Sequence, residues 1–213
     1  MIPAARLGLL ACLAANLPAA EFNARLAHAK GGDPLIEATV SLIPLDQPAP
    51  PLPADAQSEI AQEGQEFDGF ITIVQAGTKV VFPNRDTVQH HIYSLSKPKR
   101  FEKPLYASGA SESVLFDQPG VVALGCNIHD WMIAYVVVLP TPWFAKTGAE
   151  GSAQLAGAPP GRYRLEVWHP RLPRPVLREV TLGAGDPAAE TVALTLKADR
   201  RIRRAPETRT GAY

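Results

Sequence analysis

Residues 125–135 read GCNIHDWMIAY, and this short stretch decides how the rest of the chain is interpreted. It places Cys126, His129 and Met132 at successive intervals of three residues, where the apolar run VVALG ends and the run MIAYVVVL begins. Short runs of this kind are typical of β-strands. A thiolate, an imidazole and a thioether in one loop favour copper, because a thioether adds little to a zinc site.

The surrounding sequence predicts an all-β fold. FITIVQAGTKVVFPN alternates apolar and polar residues, and Gln118-Pro119-Gly120 is a turn signal. The 21 prolines are scattered through the 213 residues, which argues against long helices. PAPPLPADAQ, residues 48–57, is a proline-rich linker, and we predict a β-sandwich over residues 58–140.

A copper site built from these donors needs a second imidazole from another strand. The segment NRDTVQHHIYS offers two adjacent candidates, His90 and His91. Neighbouring residues on a strand point to opposite faces of its sheet, so only one of the two can face the metal.

A histidine-bearing strand followed by Cys126-x-x-His129-x-x-Met132 resembles the cupredoxins of the amicyanin and plastocyanin type, which are Greek-key sandwiches. The resemblance implies one type 1 copper, and the family pattern places the first ligand four residues after a turn aspartate, here Asp86. The implied metal ligands are His90, Cys126, His129 and Met132. Two departures stand out: His91 occupies the position of a family asparagine, and Ile128 one where proline is frequent.

The flanking segments show a second β pattern. GGDPLIEATVSLIPL and GRYRLEVWHP resemble parts of the carboxypeptidase regulatory-like, transthyretin-type sandwich, separated here by about a hundred residues. This implies a second sandwich formed by residues 21–47 and 141–197, with the copper domain inserted into it. In the alternative interpretation, residues 22–44 supply the first strand of the central sandwich.

The chain begins with MIPAARLGLLACLAANLPAA, which has the features of a secretory signal peptide over residues 1–20. The alternatives are a buried first helix and a lipid anchor at Cys12. Cleavage would leave Cys126 as the single cysteine, a thiol that needs a metal or a partner in an oxidising compartment. We therefore expect a periplasmic protein.

No later segment is apolar enough to span a membrane. Residues 198–213 are predicted to be a basic, disordered tail or, alternatively, a docking arm.

The function expected from these features is single-electron transfer by a blue copper protein. Equal numbers of cationic and anionic residues, 21 each, give no nucleic-acid footprint. Copper enzymes need further copper bound by additional histidines, whereas only His28, His91 and His169 remain in this chain. We therefore expect neither an enzyme nor catalytic residues. We interpret His28 and His169 as structural or solvated. We expect a monomer that docks on a redox partner such as a cytochrome or an amine dehydrogenase. The flanks of the copper motif also resemble secreted proteins labelled methylamine utilisation protein. The alternative functions are copper delivery or storage, and a metal-free interaction module.

Overall fold

A computed structural model describes residues 20–184 and 187–202 of the chain, and this part of it consists of strands and loops without a helix. The expected all-β class is confirmed. The described residues form seventeen strands, in chain order: β1 Ala20–His28, β2 Thr39–Pro44, β3 Gln57–Glu59, β4 Gln62–Glu63, β5 Glu66–Phe67, β6 Ile71–Gln75, β7 Thr78–Pro83, β8 His90–Ser94, β9 Phe101–Tyr106, β10 Ser111–Phe116, β11 Gly120–Gly125, β12 Ile133–Leu139, β13 Phe144–Lys146, β14 Ser152–Ala158, β15 Gly161–Trp168, β16 Val176–Leu182 and β17 Ala188–Leu194.

The middle of the chain forms a sandwich of two sheets. One sheet has the strand order β6-β12-β11-β8-β9, and the other has the order β10-β7-β3. β6 and β7 follow each other in sequence but lie in opposite sheets. The side chains between the sheets form one buried cluster that includes Val80, Phe82, Ile92, Phe116 and Val136. We refer to this unit as the central sandwich.

The flanking strands pair with each other and form a second sandwich, with sheets β14-β1-β17 and β13-β2-β15-β16. β2 pairs with β15 from Thr39 opposite Trp168 to Pro44 opposite Tyr163. The strand at residues 39–44 therefore pairs with a strand from beyond residue 150, as the flanking pattern led us to expect. β2 also pairs with β13, with Ser41 opposite Phe144. The two ends of the segment that carries the central sandwich are thus neighbours in one sheet, although the residue bounds given to the domains stay predictions.

A small apolar interface joins the two sandwiches. The outer face of the β6-β12-β11 sheet contributes Ile71, Val137 and Leu139, which pack with Trp168 from β15. The ring of Tyr135 meets that of Trp168 edge to face, with centroids 5.5 Å apart. Buried aromatic contacts of this kind fix the two units against each other.

Two of the sequence predictions concern the chain ends, which lie mostly outside the described residues. The signal peptide predicted over residues 1–20 reaches the described part only at Ala20, the buried first residue of β1. The first five residues of the predicted basic tail, 198–202, are described, and the guanidinium of Arg201 lies 3.9 Å from the centre of the Phe70 ring. Among the described residues, no helix has the length and apolar character needed to cross a membrane.

Candidate metal centre

The loop that connects β11 to β12 carries the donors singled out from the sequence. β11 ends at Gly125 and β12 begins at Ile133, directly opposite it in the antiparallel pair. Two backbone hydrogen bonds close the loop: Cys126 N–H donates to Met132 O (3.3 Å), and Met132 N–H donates to His129 O (3.0 Å). This tight closure turns the side chains of Cys126 and His129 towards each other.

Three potential ligands converge at one end of the central sandwich. The Sγ atom of Cys126 lies 3.9 Å from Nδ1 of His90 and 3.7 Å from Nδ1 of His129. All three donor atoms lie within 4.8 Å of one another. An ion at the centre of a triangle of this size would be roughly 2 to 3 Å from each atom, which overlaps the usual metal–nitrogen and metal–sulfur distances. We call these three residues the donor cluster, and their chemistry fits copper.

Met132 is the last residue of the loop, directly before β12. Its side chain is 1 % exposed and belongs to the same buried group as Cys126, with Trp131 packed against that group. The burial and the position of Met132 at the end of the loop suit a weak axial donor, but a methionine that only fills the core would also be buried here. Its role as a ligand stays a prediction.

The two adjacent histidines point to different sides of β8. His90 is completely buried, and its Nδ1 atom faces the cysteine. His91 instead places Nε2 2.9 Å from Oε1 of Glu102, and its Nδ1 is buried without a hydrogen-bond partner. The structure therefore brings His90, and not His91, to the donor cluster, as the alternation along a strand requires.

Asp86 holds the imidazole of His90 from behind. Its Oδ2 atom lies 2.6 Å from His90 Nε2. Nε2 therefore carries the proton, and the lone pair on Nδ1 faces Cys126, the arrangement that a metal-binding imidazole needs. Burial raises the pKa of Asp86, but the hydrogen bonds from His90 and from the N–H groups of Gln65 and Gly64 outweigh it, so the pKa lies below its usual value. In the sequence Asp86 marks only the turn before β8, and nothing there predicts its contact with His90.

A tight hairpin fixes Asp86 in turn. β4 and β5 are joined by Gly64 and Gln65, which both have positive φ angles, 64° and 58°. This backbone aims both N–H groups at the Asp86 carboxylate, with distances of 2.6 Å to Oδ1 and 2.8 Å to Oδ2. The carbonyl of Gln65 accepts a hydrogen bond from Trp131 Nε1 (2.9 Å). Positive φ angles at both central residues are what a two-residue hairpin turn of this type requires. The hairpin thus ties the aspartate to the cysteine-containing loop.

The loop before β8 is also held by a buried asparagine. Asn84 donates from Nδ2 to Val88 O (2.8 Å) and to Tyr106 O (3.2 Å), and its Oδ1 accepts from the N–H of Asp86 (3.0 Å). The resemblance in the sequence implied a tying asparagine at position 91, but the residue there, His91, contacts Glu102. In this chain Asn84 fixes the shape of the loop that carries Asp86.

His129 is the donor that faces outward. It is half-buried, and its ring centroid lies 5.1 Å from that of His90 and 5.3 Å from that of Trp131. Ile128 beside it is 49 % exposed. His129 is therefore the donor of the cluster that is most open to solvent, and its neighbour in sequence is an exposed apolar side chain.

This chain resembles known structures only at low sequence identity and low TM-score. No protein-family model matches the chain, and no curated protein matches it either. A reduced mutant of amicyanin is 18 % identical, with 46 % of this chain and 97 % of that chain covered and a TM-score of 0.37. A purple cupredoxin from Nitrosopumilus maritimus is 26 % identical over 39 % of this chain and 99 % of its own, with a TM-score of 0.34.

A third similar structure is the copper-containing nitrite reductase (NirK) from Thermus scotoductus SA-01. It is 23 % identical over 45 % of this chain but only 27 % of its own length, with a TM-score of 0.37. TM-scores of this size are too low to carry an argument about the site. The case for a metal centre therefore rests on the geometry of the donor cluster.

Proposed function

We propose that this chain is a type 1, or blue, copper protein that carries single electrons between redox partners. The observation that supports the proposal is the donor cluster, in which a buried thiol lies within 4 Å of two imidazole nitrogens. The proposed ligands are His90, Cys126 and His129, with Met132 as a weak axial donor.

The donor set favours copper over other metals. One thiolate and two imidazoles suit copper and zinc alike, whereas the buried thioether of Met132 adds a soft donor that zinc does not use. Hard cations such as magnesium and calcium require oxygen ligands, and no carboxylate belongs to the donor cluster. The carboxylate nearby, that of Asp86, is engaged with the far side of His90 and with two backbone N–H groups.

The support around the ligands suits electron transfer. Bound copper would supply a one-electron couple, and the protein has to keep the ligands in place in both oxidation states. Asp86 fixes the ring of His90, Asn84 fixes the loop that carries Asp86, and Trp131 holds the cysteine-containing loop to the hairpin. A ligand ring and a ligand loop that are held by hydrogen bonds rearrange little, and this keeps the exchange of electrons fast.

The proposal extends to location and partners. An exported, periplasmic protein accords with the N-terminal sequence, and a cytochrome or an amine dehydrogenase accords with the resemblance of the copper motif to methylamine utilisation proteins. The exposed apolar side chain of Ile128 next to His129 suits a weak redox encounter, which buries little surface and separates easily. We propose no catalytic residue and no enzymatic reaction.

The experiment that tests this function compares two neighbouring histidines. Copper-loaded wild-type protein is expected to give a reversible one-electron wave in voltammetry, with one copper per chain. His90→Ala should lose the wave, because it removes a donor of the cluster, and His91→Ala should keep it. The proposal is wrong if the wave is absent from the wild type, as expected for a copper storage protein, or if both variants behave alike.

A further inference from the structure

A crevice of about 860 Å³ lies between the two sandwiches, away from the donor cluster. One wall comes from the central sandwich, with Phe70, Ile133 and Tyr135. The opposite wall comes from the second sandwich and from the residues that follow β17. Ligand pockets typically have volumes of about 300 to 1,000 Å³ and favour the junctions between domains. Neither the proposed copper centre nor its docking face uses this space.

The wall formed by the second sandwich is rich in cations. Four cationic side chains line the crevice, Arg171, Lys197, Arg200 and Arg201, against two acidic ones, Glu37 and Asp199. Arg201 is paired with Asp199 at 2.7 Å, so three cations are balanced by a single further carboxylate. This excess of positive charge favours a negatively charged ligand.

Arg171 is held in place at this wall. Its Nε–H donates to the carbonyl of Lys197 (2.6 Å), and the N–H of Lys197 donates to the carbonyl of Arg171 (2.9 Å). An arginine fixed through Nε keeps its two terminal nitrogens for a carboxylate or a similar anion, which they bind side by side.

His169 adds an uncharged donor to the same wall. It is 7 % exposed, and its Nδ1 accepts a hydrogen bond from the N–H of Arg171 (3.1 Å). The proton of the neutral ring is therefore on Nε2. Burial, followed by the charges of Arg171 and Arg201, lowers the pKa of His169 to about 4. At neutral pH the ring therefore adds a hydrogen-bond donor without adding charge.

The opposite wall is aromatic and apolar. The rings of Phe70 and Tyr135 meet edge to face with centroids 5.4 Å apart, and the guanidinium of Arg201 stacks 3.9 Å over Phe70. Ile133 is 36 % exposed. A small inorganic anion would leave this apolar wall uncovered, whereas a ligand with a flat apolar body would cover it.

We propose that the crevice binds an amphipathic anion, namely a carboxylate or sulfonate attached to an aromatic body of one or two rings. The acidic group would lie against Arg171 and His169, and the rings would pack on Tyr135 and Ile133, next to the Phe70 ring that Arg201 covers. The site is independent of copper, because none of its residues belongs to the donor cluster.

The test uses the full chain and the fluorescent probe 8-anilinonaphthalene-1-sulfonate, an aromatic sulfonate. We expect one probe per chain, displaced by 2-naphthoate but not by 2-naphthalenemethanol, its uncharged counterpart. Arg171→Gln should weaken binding by about 10- to 100-fold, as expected for the loss of a charge-assisted hydrogen bond. Arg178→Gln is the matched control, because Arg178 pairs with Glu190 away from the crevice.

Three results would overturn the proposal. Equal displacement by the acid and the alcohol would show that the anionic group is not recognised. Displacement by inorganic sulfate as effective as that by 2-naphthoate would show that the aromatic wall is not used. Equal binding by the Arg171→Gln and Arg178→Gln variants would place the probe elsewhere. If Arg171→Gln does not fold, Lys197→Gln takes its place in the same comparison.

Discussion

Replacing Asp86 with Asn removes one negative charge behind the proposed copper ligand His90 while keeping the side-chain shape. Oδ2 lies 2.6 Å from His90 Nε2, on the side of the ring opposite Cys126. The charge is therefore about 7 Å from an ion in the donor cluster, and one unit of charge at that distance is worth about 2.4 kcal/mol at an effective dielectric constant of about 20. Reduction removes one positive charge from copper, so the carboxylate favours the oxidised ion.

The expected effect is a higher reduction potential. A tenfold change in a one-electron equilibrium corresponds to about 59 mV, so about 2.4 kcal/mol corresponds to a rise of about 100 mV. Voltammetry of the copper-loaded variant measures the shift directly. Competition with a chelator should show copper affinity reduced about 10- to 100-fold, the usual cost of losing a partner behind a metal ligand.

The matched control is Asp117→Asn, because Asp117 is a carboxylate paired with Lys99 at the surface. We expect it to leave the potential unchanged. The reasoning is refuted if Asp86→Asn also leaves the potential unchanged, or lowers it.

A second measurement is independent of copper. The new amide N–H₂ group would face the backbone N–H of Gly64 or Gln65, and two donors cannot bond to each other. The metal-free Asp86→Asn variant should therefore lose about 1 to 3 kcal/mol of unfolding free energy.

Three further predictions concern other parts of the molecule. Met132→Leu should keep copper bound and raise the reduction potential in voltammetry, because it removes a weak donor; loss of copper would mean that Met132 holds the ion. Ile128→Glu should slow electron exchange with a cytochrome in stopped-flow measurements, while the absorption spectrum stays nearly unchanged. Truncation after Lys197 should have little effect on the same exchange rate. If the truncation slows exchange and Ile128→Glu does not, docking belongs to the basic tail. The pKa of His169 is about 4 in the folded protein, below the ordinary histidine value of 6.5. Between these two pH values the unfolded chain binds a proton that the folded chain does not, so acidification from pH 6.5 to 4 should lower stability. Denaturant unfolding of metal-free His169→Asn, which keeps an acceptor for the N–H of Arg171, should show a smaller loss, and an equal loss in both proteins would contradict the assignment.

The parts of the site that could be predicted from the sequence are those encoded over short distances along the chain. Cys126, His129 and Met132 lie in a single loop between two apolar runs, so their proximity needs only the two strands to pair. The alternation of side chains along β8 limits the candidates to one of two histidines. The pairing of β2 with β15 was also open to prediction, because both strands carry clear alternating patterns.

The parts that could not be predicted depend on contacts between distant segments. The hydrogen bonds from Gly64 and Gln65 to Asp86 span 22 and 21 residues, and they exist only because a tight turn aims two backbone groups at the carboxylate. Backbone N–H groups leave no signature in the sequence. The crevice also depends on distant segments, because its aromatic and cationic walls come from different sandwiches. Part of the cationic wall comes from residues 198–201, which composition alone assigned to a disordered tail.

The measurement that tests the central claim most directly is the visible absorption spectrum during addition of copper(II) to the metal-free protein. We predict that one equivalent of copper produces an intense band, arising from charge transfer between the Cys126 thiolate and copper, and that addition beyond one equivalent adds nothing to it. Cys126→Ser should abolish the band, because a hydroxyl is a far poorer copper donor than a thiolate. An undiminished band in Cys126→Ser, or tight binding of copper by the wild type without such a band, would contradict the account.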